Sequence, residues 1–377
     1  MKLFLVSCSI VFILMLSSCS NQKKEIQSDS FERREWLKYT AEKIILPSFE
    51  KVELAVDTLV NKVNYFADNP TISTLAQAQA AWKNAILRWM LCTPFNFGPG
   101  EFLGNPLESI INTFPVRIEG NATQPGIENL IRNNQFSIID NPNDTKGFQA
   151  LDYLLFDSLD RQEEVVARYT TQSYANARKQ FLKSIAQEIK VRIERVHRDW
   201  KSFYAKDFAS SGSTSAGSPT SLYFNAFAAS FERIKNFKIL FPAGMGAGLN
   251  IGSLRPELVE ARFSGFSHEL VLEHTKTIER LWYGKDLNGV DGLGYEEYLK
   301  SIATPDAIEA ANRTKALFNE FYDALSKVPK TRWNASVLTS NEFNALANKS
   351  REMQAYMKAR IASATGISIT YSSGDGD

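Results

Sequence analysis

The stretch ILPSFEKVELAVDTLVNKVNYF, residues 45–66, decides the fold class. Ile45, Phe49, Val52, Val56, Leu59, Val63 and Phe66 follow one another at spacings of 4, 3, 4, 3, 4 and 3. That rhythm puts seven apolar side chains on one face of a helix about six turns long. Leu75, Ala78, Trp82, Ala85 and Trp89 repeat it after the stop signal Asn69-Pro70. Leu182, Ile185, Ile189, Ile193, Val196, Trp200 and Phe203 mark a third long helix. In the C-terminal half Val259, Phe263, Phe266 and Leu270 continue the pattern, as do Phe318, Phe321, Leu325 and Val328. Alternation at period two is scarce, and its best candidate is the short tail Ile367-Ser368-Ile369-Thr370. The expectation is an all-α protein of packed helical bundles.

Ser210 to Thr220, Ser-Ser-Gly-Ser-Thr-Ser-Ala-Gly-Ser-Pro-Thr, is the one clear break in composition. It is a poor helix and lies near the middle of the chain, so residues 210–220 read as a linker. The expected bundles are residues 31–209 and 221–377, about four long helices each. The chain has 377 residues, 44% hydrophobic and 23% charged, which suits core-forming globular domains. Its 43 Lys+Arg balance 42 Asp+Glu for a formal charge of +1, which argues against a nucleic-acid binder working by phosphate neutralisation. Three His and three Cys leave little material for a zinc or iron site built on nitrogen and sulfur.

Lys2 is followed by an apolar run from Leu3 to Leu16 and then by Ser17, Ser18 and Cys19. Residues 1–18 read as a signal peptide, because the run is short for a transmembrane helix. Leu16-Ser17-Ser18-Cys19 resembles the bacterial lipobox, in which Cys19 carries lipid and holds the protein on a membrane. Residues 19–30 then read as a lipid-anchored tether, polar from Ser20 onward. The address implied is the cell envelope, with the outer membrane favoured because Ser20 is no inner-membrane retention acid; the periplasmic or surface side stays open. Cys92 becomes the one free thiol, so a disulfide within the chain is excluded. A lone Cys beside Leu91 and Trp89 is expected to be a small buried hydrophobe. Trp82 and Trp89, on the apolar stripe, are expected in the core.

Irregular segments carry the informative residues. Phe97-Gly98-Pro99 ends the second helix, and Gly147-Phe148-Gln149-Ala150-Leu151-Asp152-Tyr153-Leu154-Leu155-Phe156 begins a short apolar one. Lys235-Asn236, Pro242-Ala243-Gly244, Arg255-Pro256 and Phe263-Ser264-Gly265 follow in the second half. On these motifs the chain resembles the imelysin-like family, over most of residues 35–360. The resemblance implies two packed helical bundles with the motifs meeting in a cleft between them. It also implies a link to iron acquisition, an iron-uptake or outer-membrane partner protein, and a Gly-x-His-x-x-Glu motif through which some relatives bind metal.

That motif falls on Gly147, Gln149 and Asp152, so the departures matter. Gln149 stands where the family has His, and a neutral amide is no general base and a poor ligand for zinc or ferrous iron. Asp152 stands where the family has Glu and reaches one methylene less far. Met90 and Thr93 take positions that are often acidic. Three readings stay open for Gln149 and Asp152: a residual metallopeptidase site with Asp152 activating water, a polar pair in a ligand cleft, or a structural pair. In the structural reading Asp152 complements an early helix turn and Gln149 hydrogen-bonds a neighbouring loop. No cofactor is expected; iron or another cation is allowed but not supported by these residues. Lys235, Arg255 and Arg262 either converge on the cleft to grip carboxylate or phosphate, or pair at the surface with Glu257 and Glu260. The cleft candidates are thus Gly147, Gln149, Asp152, Lys235, Arg255, Glu260, Arg262 and Ser264. The function expected is an envelope lipoprotein binding component linked to iron uptake, against an imelysin-type metallopeptidase or a structural, partner-docking lipoprotein.

The remaining His residues do not rescue a metal site. His268-Glu269-Leu270-Val271-Leu272-Glu273-His274 fails the zincin pattern, because Leu272 stands four residues after His268. His268, His274 and His197 are expected on solvated helix faces. Asp286-Leu287-Asn288-Gly289-Val290-Asp291-Gly292 is expected to be a turn, since Val290 takes a calcium-ligand position.

Overall fold

A computed structural model describes residues 30–102, 104–156, 161–246 and 252–371. The expected signal peptide, Cys19 and the tether up to residue 29 lie outside the described residues. The 45–66 repeat forms helix α1 (Leu46–Asp68), and all seven stripe residues are buried. Upstream, the helix Arg33–Tyr39 runs into α1 through a wider, π-helical stretch, Thr40–Ile45. Pro47 gives the reason: in a regular helix its ring would crowd the carbonyl of Lys43, and the widened turn relieves that contact. Ser48 turns its hydroxyl back onto the Ile44 carbonyl at 2.7 Å.

Thr71 starts α2 (Ile72–Trp89) with a reciprocal cap, its Oγ1 accepting from Thr74 N at 3.1 Å and its own N–H donating to Thr74 Oγ1 at 3.0 Å. Helix α3 (Gly147–Phe156) has nine of its ten residues buried, so it is a core helix and shows solvent no polar face. Helix α4 (Ala175–Asp199) packs on α1 and α3 and closes the first bundle. In the second half α5 (Pro219–Arg233) is capped by Ser218 and widens into a π-helical segment, Ile234–Leu240. Helices α6 (Ser267–Tyr283), α7 (Pro305–Lys327) and α8 (Asn341–Ala355) pack beside it. The only strands among the described residues are the two-residue antiparallel pair Glu101–Phe102 and Asn105–Pro106. The fold is all-α. No helix among the described residues is long and apolar enough to cross a membrane.

Three expectations need correction. Val259 to Phe266 is not the start of a helix, because Ala261 and Gly265 sit at φ +53° and +68°, and α6 begins only at Ser267. Ile367–Thr370 is extended but forms no strand; Asn225 takes the place of a partner strand by accepting from Thr370 N and donating to Ser368 O. Phe203 is 52% exposed, because the chain leaves the regular helical period at the π-helical stretch Trp200–Tyr204. Trp36, early in the chain, packs among Tyr223, Tyr295 and Tyr298 of the second half.

Candidate functional site

Gly147 opens α3 at φ +79°, where a Cβ would lie 2.2 Å from the Ile111 carbonyl oxygen. Only glycine lets α3 begin this close to the preceding segment. Two turns of α3 then aim Gln149 and Asp152 at the second half. The loop they meet, residues 260–266, bends back at Ala261 and Gly265, so successive N–H groups point at α3.

Asp152 gives both carboxylate oxygens to that loop, and Gln149 gives its carbonyl oxygen. Asp152 Oδ2 accepts from Phe263 N and Oδ1 from Ser264 N, each at 3.0 Å. Gln149 Oε1 accepts from Ala261 N at 2.8 Å, and its amide donates to Asn112 Oδ1 at 2.8 Å. Asn112 passes the contact on, donating to Glu260 Oε1 at 2.9 Å. Glu260 Oε2 lies 2.8 Å from Lys238 Nζ, and both side chains are buried. Lys238 also donates to Met90 Sδ at 3.3 Å, so the residue after Trp89 lies against a buried cation. Arg332 donates to the Phe263 carbonyl from the far side of the loop.

Burial pushes the Asp152 carboxyl up to about 6, and the Ser264 hydroxyl, the two N–H donors and the Arg332 charge keep it from rising further. The cavity beside Gln149 and Asp152 measures only about 10 Å³, room for at most one water. Arg262 lines it too, with its guanidinium 4.4 Å from the Phe263 ring. Arg255 pairs with Glu257, partly exposed, and does not reach the motif. Lys235 is buried in the π-helical turn after α5. Gly147, Gln149, Asp152, Glu260 and Ser264 therefore meet at one seam, Arg262 borders it, and Arg255 does not join them. Glu260 pairs with Lys238 and not with the arginines of its own segment.

A divalent cation does not fit these residues. An amide and one carboxylate already engaged by backbone N–H groups offer too few oxygens for a hard cation and no imidazole for a softer one. No group of three or more His, Cys, Asp or Glu among the described residues is arranged to hold a metal ion. The histidines are not on solvated faces as expected. His268 is buried with Nε2 3.0 Å from the Leu325 carbonyl, and His274 is fully buried with Nε2 2.7 Å from Ser230 Oγ. Burial, helped by the Lys238 and Arg233 charges, holds His274 well below the usual imidazole range, so it is neutral. His197 is half-buried against Glu53 at 2.5 Å. Trp82, Trp89 and Cys92 are core residues, and burial raises the Cys92 thiol well above its usual range. Asp286 Oδ1 accepts from Asn288 N and Val290 N at 2.8 Å, closing the expected turn.

Sequence reasoning missed Lys238, Asn112 and Arg332. Lys238 had a readable signal, a charge set directly between Phe237 and the apolar Ile239-Leu240-Phe241; the other two had none. It also missed a larger cleft of about 580 Å³ between the halves, which Asn96 and Glu108 line from one side and Asn225, Arg233 and Tyr371 from the other.

The chain belongs to the imelysin family: the Imelysin family model matches residues 45–361. None of the curated proteins matches it. Solved structures share the fold, and two of them are these. One, from Parabacteroides distasonis, is designated an iron-regulated protein A precursor; it has a TM-score of 0.70 at 16% identity, with 88% of this chain and 94% of that one covered. The other is an imelysin-like protein from Psychrobacter arcticum, with a TM-score of 0.67 at 14% identity, covering 90% and 97%.

Proposed function

We propose that this chain is a lipid-anchored cell-envelope protein of the imelysin family that serves as a binding component linked to iron uptake, and that its motif no longer runs metal-dependent peptide hydrolysis. One observation carries the second part: Gln149 and Asp152 are spent as fasteners between α3 and the 260–266 loop. A hydrolytic centre needs a vacant coordination position or a water beside its base, and a substrate within about 3 Å of both. Here the base position is a glutamine and the space beside it holds at most one water. The iron link rests on the family and on the designation of the Parabacteroides protein. The anchor rests on Leu16-Ser17-Ser18-Cys19.

Titration of purified protein with zinc and ferrous iron, alongside a peptide-cleavage assay, tests the reading. It expects no stoichiometric metal at micromolar affinity and no cleavage. Cleavage that Asp152→Ala abolishes would restore the peptidase. For the anchor, Cys19→Ser is expected to move the protein from the membrane fraction to the soluble one; unchanged membrane association overturns it.

A further inference from the structure

Resting on the binding reading above, we propose that the cleft between the two halves takes a small carboxylate with an apolar body, its head group gripped by Arg233. Arg233 ends α5 and is held in three ways. Its Nε lies 2.5 Å from Glu108 Oε1, and the rings of Phe114 and Phe237 lie 5.6 and 5.2 Å from its guanidinium carbon. Glu108, itself buried, is steadied by Asn96, which donates to Glu108 Oε2 at 3.3 Å and accepts from Glu108 N at 3.1 Å. A guanidinium oriented by a carboxylate and stacked on aromatic rings loses little freedom when it binds, and its remaining edge suits a two-oxygen acceptor. The two terminal nitrogens of Arg233 make no hydrogen bond to the described residues.

Two other buried polar groups of the cleft are already engaged. Asn225 is engaged with Ser221 O, Ser368 O and Thr370 N. Glu232, the second buried carboxylate, accepts from Gln354 at 3.2 Å and Tyr371 at 3.0 Å and lies 3.7 Å from Lys358 Nζ. The cleft therefore offers a pair of donors, and both of its buried carboxylates, Glu108 and Glu232, are already paired. Glu101 and Glu232 also line it and oppose a dense charge, which favours a singly charged carboxylate over a phosphate. Below Arg233, Leu222, Ala226 and Ala229 repeat at helical spacing along α5 and, with Phe97 and Phe237, give the cleft an apolar floor.

Calorimetric titration of the full chain with octanoate, acetate, inorganic phosphate and putrescine tests this. Octanoate is expected to saturate at one per chain, with acetate, phosphate and putrescine far weaker. Arg233→Lys keeps the charge but loses the fork and should weaken octanoate about tenfold or more. Ala229→Phe fills the floor and should abolish binding with an unchanged thermal midpoint, which keeps the test valid if Arg233→Lys fails to fold. Wild-type affinity in both variants, phosphate or acetate binding as tightly as octanoate, or preference for putrescine overturns the proposal. Metal binding or peptide cleavage strikes the reading of the motif and not this one, so the two fail separately.

Discussion

Asp152→Ala is the most informative substitution, because its cost should depend on pH in a calculable way. Removing the carboxylate leaves the N–H groups of Phe263 and Ser264 without their acceptor at the seam. Two such orphaned donors cost about 2–6 kcal/mol together. Against this, burial has moved the carboxyl from its usual 3.8 to about 6, so the folded protein holds the charged form at a disadvantage. The sign follows from proton counting. Between those two values the folded state binds more protons than the unfolded one, so this group's contribution is greatest in acid and declines as pH rises through about 6. Integrated from about pH 5 to about pH 8, wild type loses about 1.4 kcal/mol from Asp152 alone. The alanine variant has no such loss. Urea unfolding of both proteins at pH 5 and pH 8 should therefore show a stability gap about 1.4 kcal/mol wider at the lower pH, other titrations cancelling in the difference. A gap that is constant or widens toward pH 8, or a variant within about 0.5 kcal/mol of wild type at both, refutes the fastener reasoning.

Further outcomes follow from the same seam. Lys238→Met strands the buried Glu260 carboxylate and should cost about 3–5 kcal/mol by urea unfolding, whereas Lys238→Met with Glu260→Leu should recover most of that; equal losses in both would show the pair is not coupled. Gly147→Ala forces a methyl onto the Ile111 carbonyl at a left-handed φ and should cost about 2 kcal/mol or more, read as a lowered urea midpoint with an unchanged slope. His274, neutral when folded and protonated when unfolded below about 6.5, should withdraw stability as pH falls through that value, opposite in sign to Asp152. His274→Gln should accordingly flatten the acid side of the stability profile, measured by thermal midpoints from pH 7 to pH 5.

How much was legible in the residues divides by the range of the interaction. The 3–4 apolar repeats of 45–66 and 75–89, and the short apolar helix at 147–156, were readable because helix formation and its buried face are set by neighbours within two turns. Gln149 and Asp152 were equally legible as polar residues inside that apolar helix. Legibility failed at 259–266: the apolar spacing there suits a helix, but Asp152 and Gln149 reward the bent backbone by accepting its N–H groups. It failed for His268 and His274 too, whose burial depends on carbonyl and hydroxyl partners 57 and 44 residues away.

The sequence by itself determined the all-helical class and the membership of the family, because both depend on residue identity and local period. Only the tertiary structure decided what Gln149 and Asp152 do. Whether Asp152 faces a water, an ion or a backbone turns on what lies across the seam, and that is the 260–266 loop, more than a hundred residues away in the chain. A carboxylate buried there is stable only if it is paired, and the packing of the two halves supplies its partners.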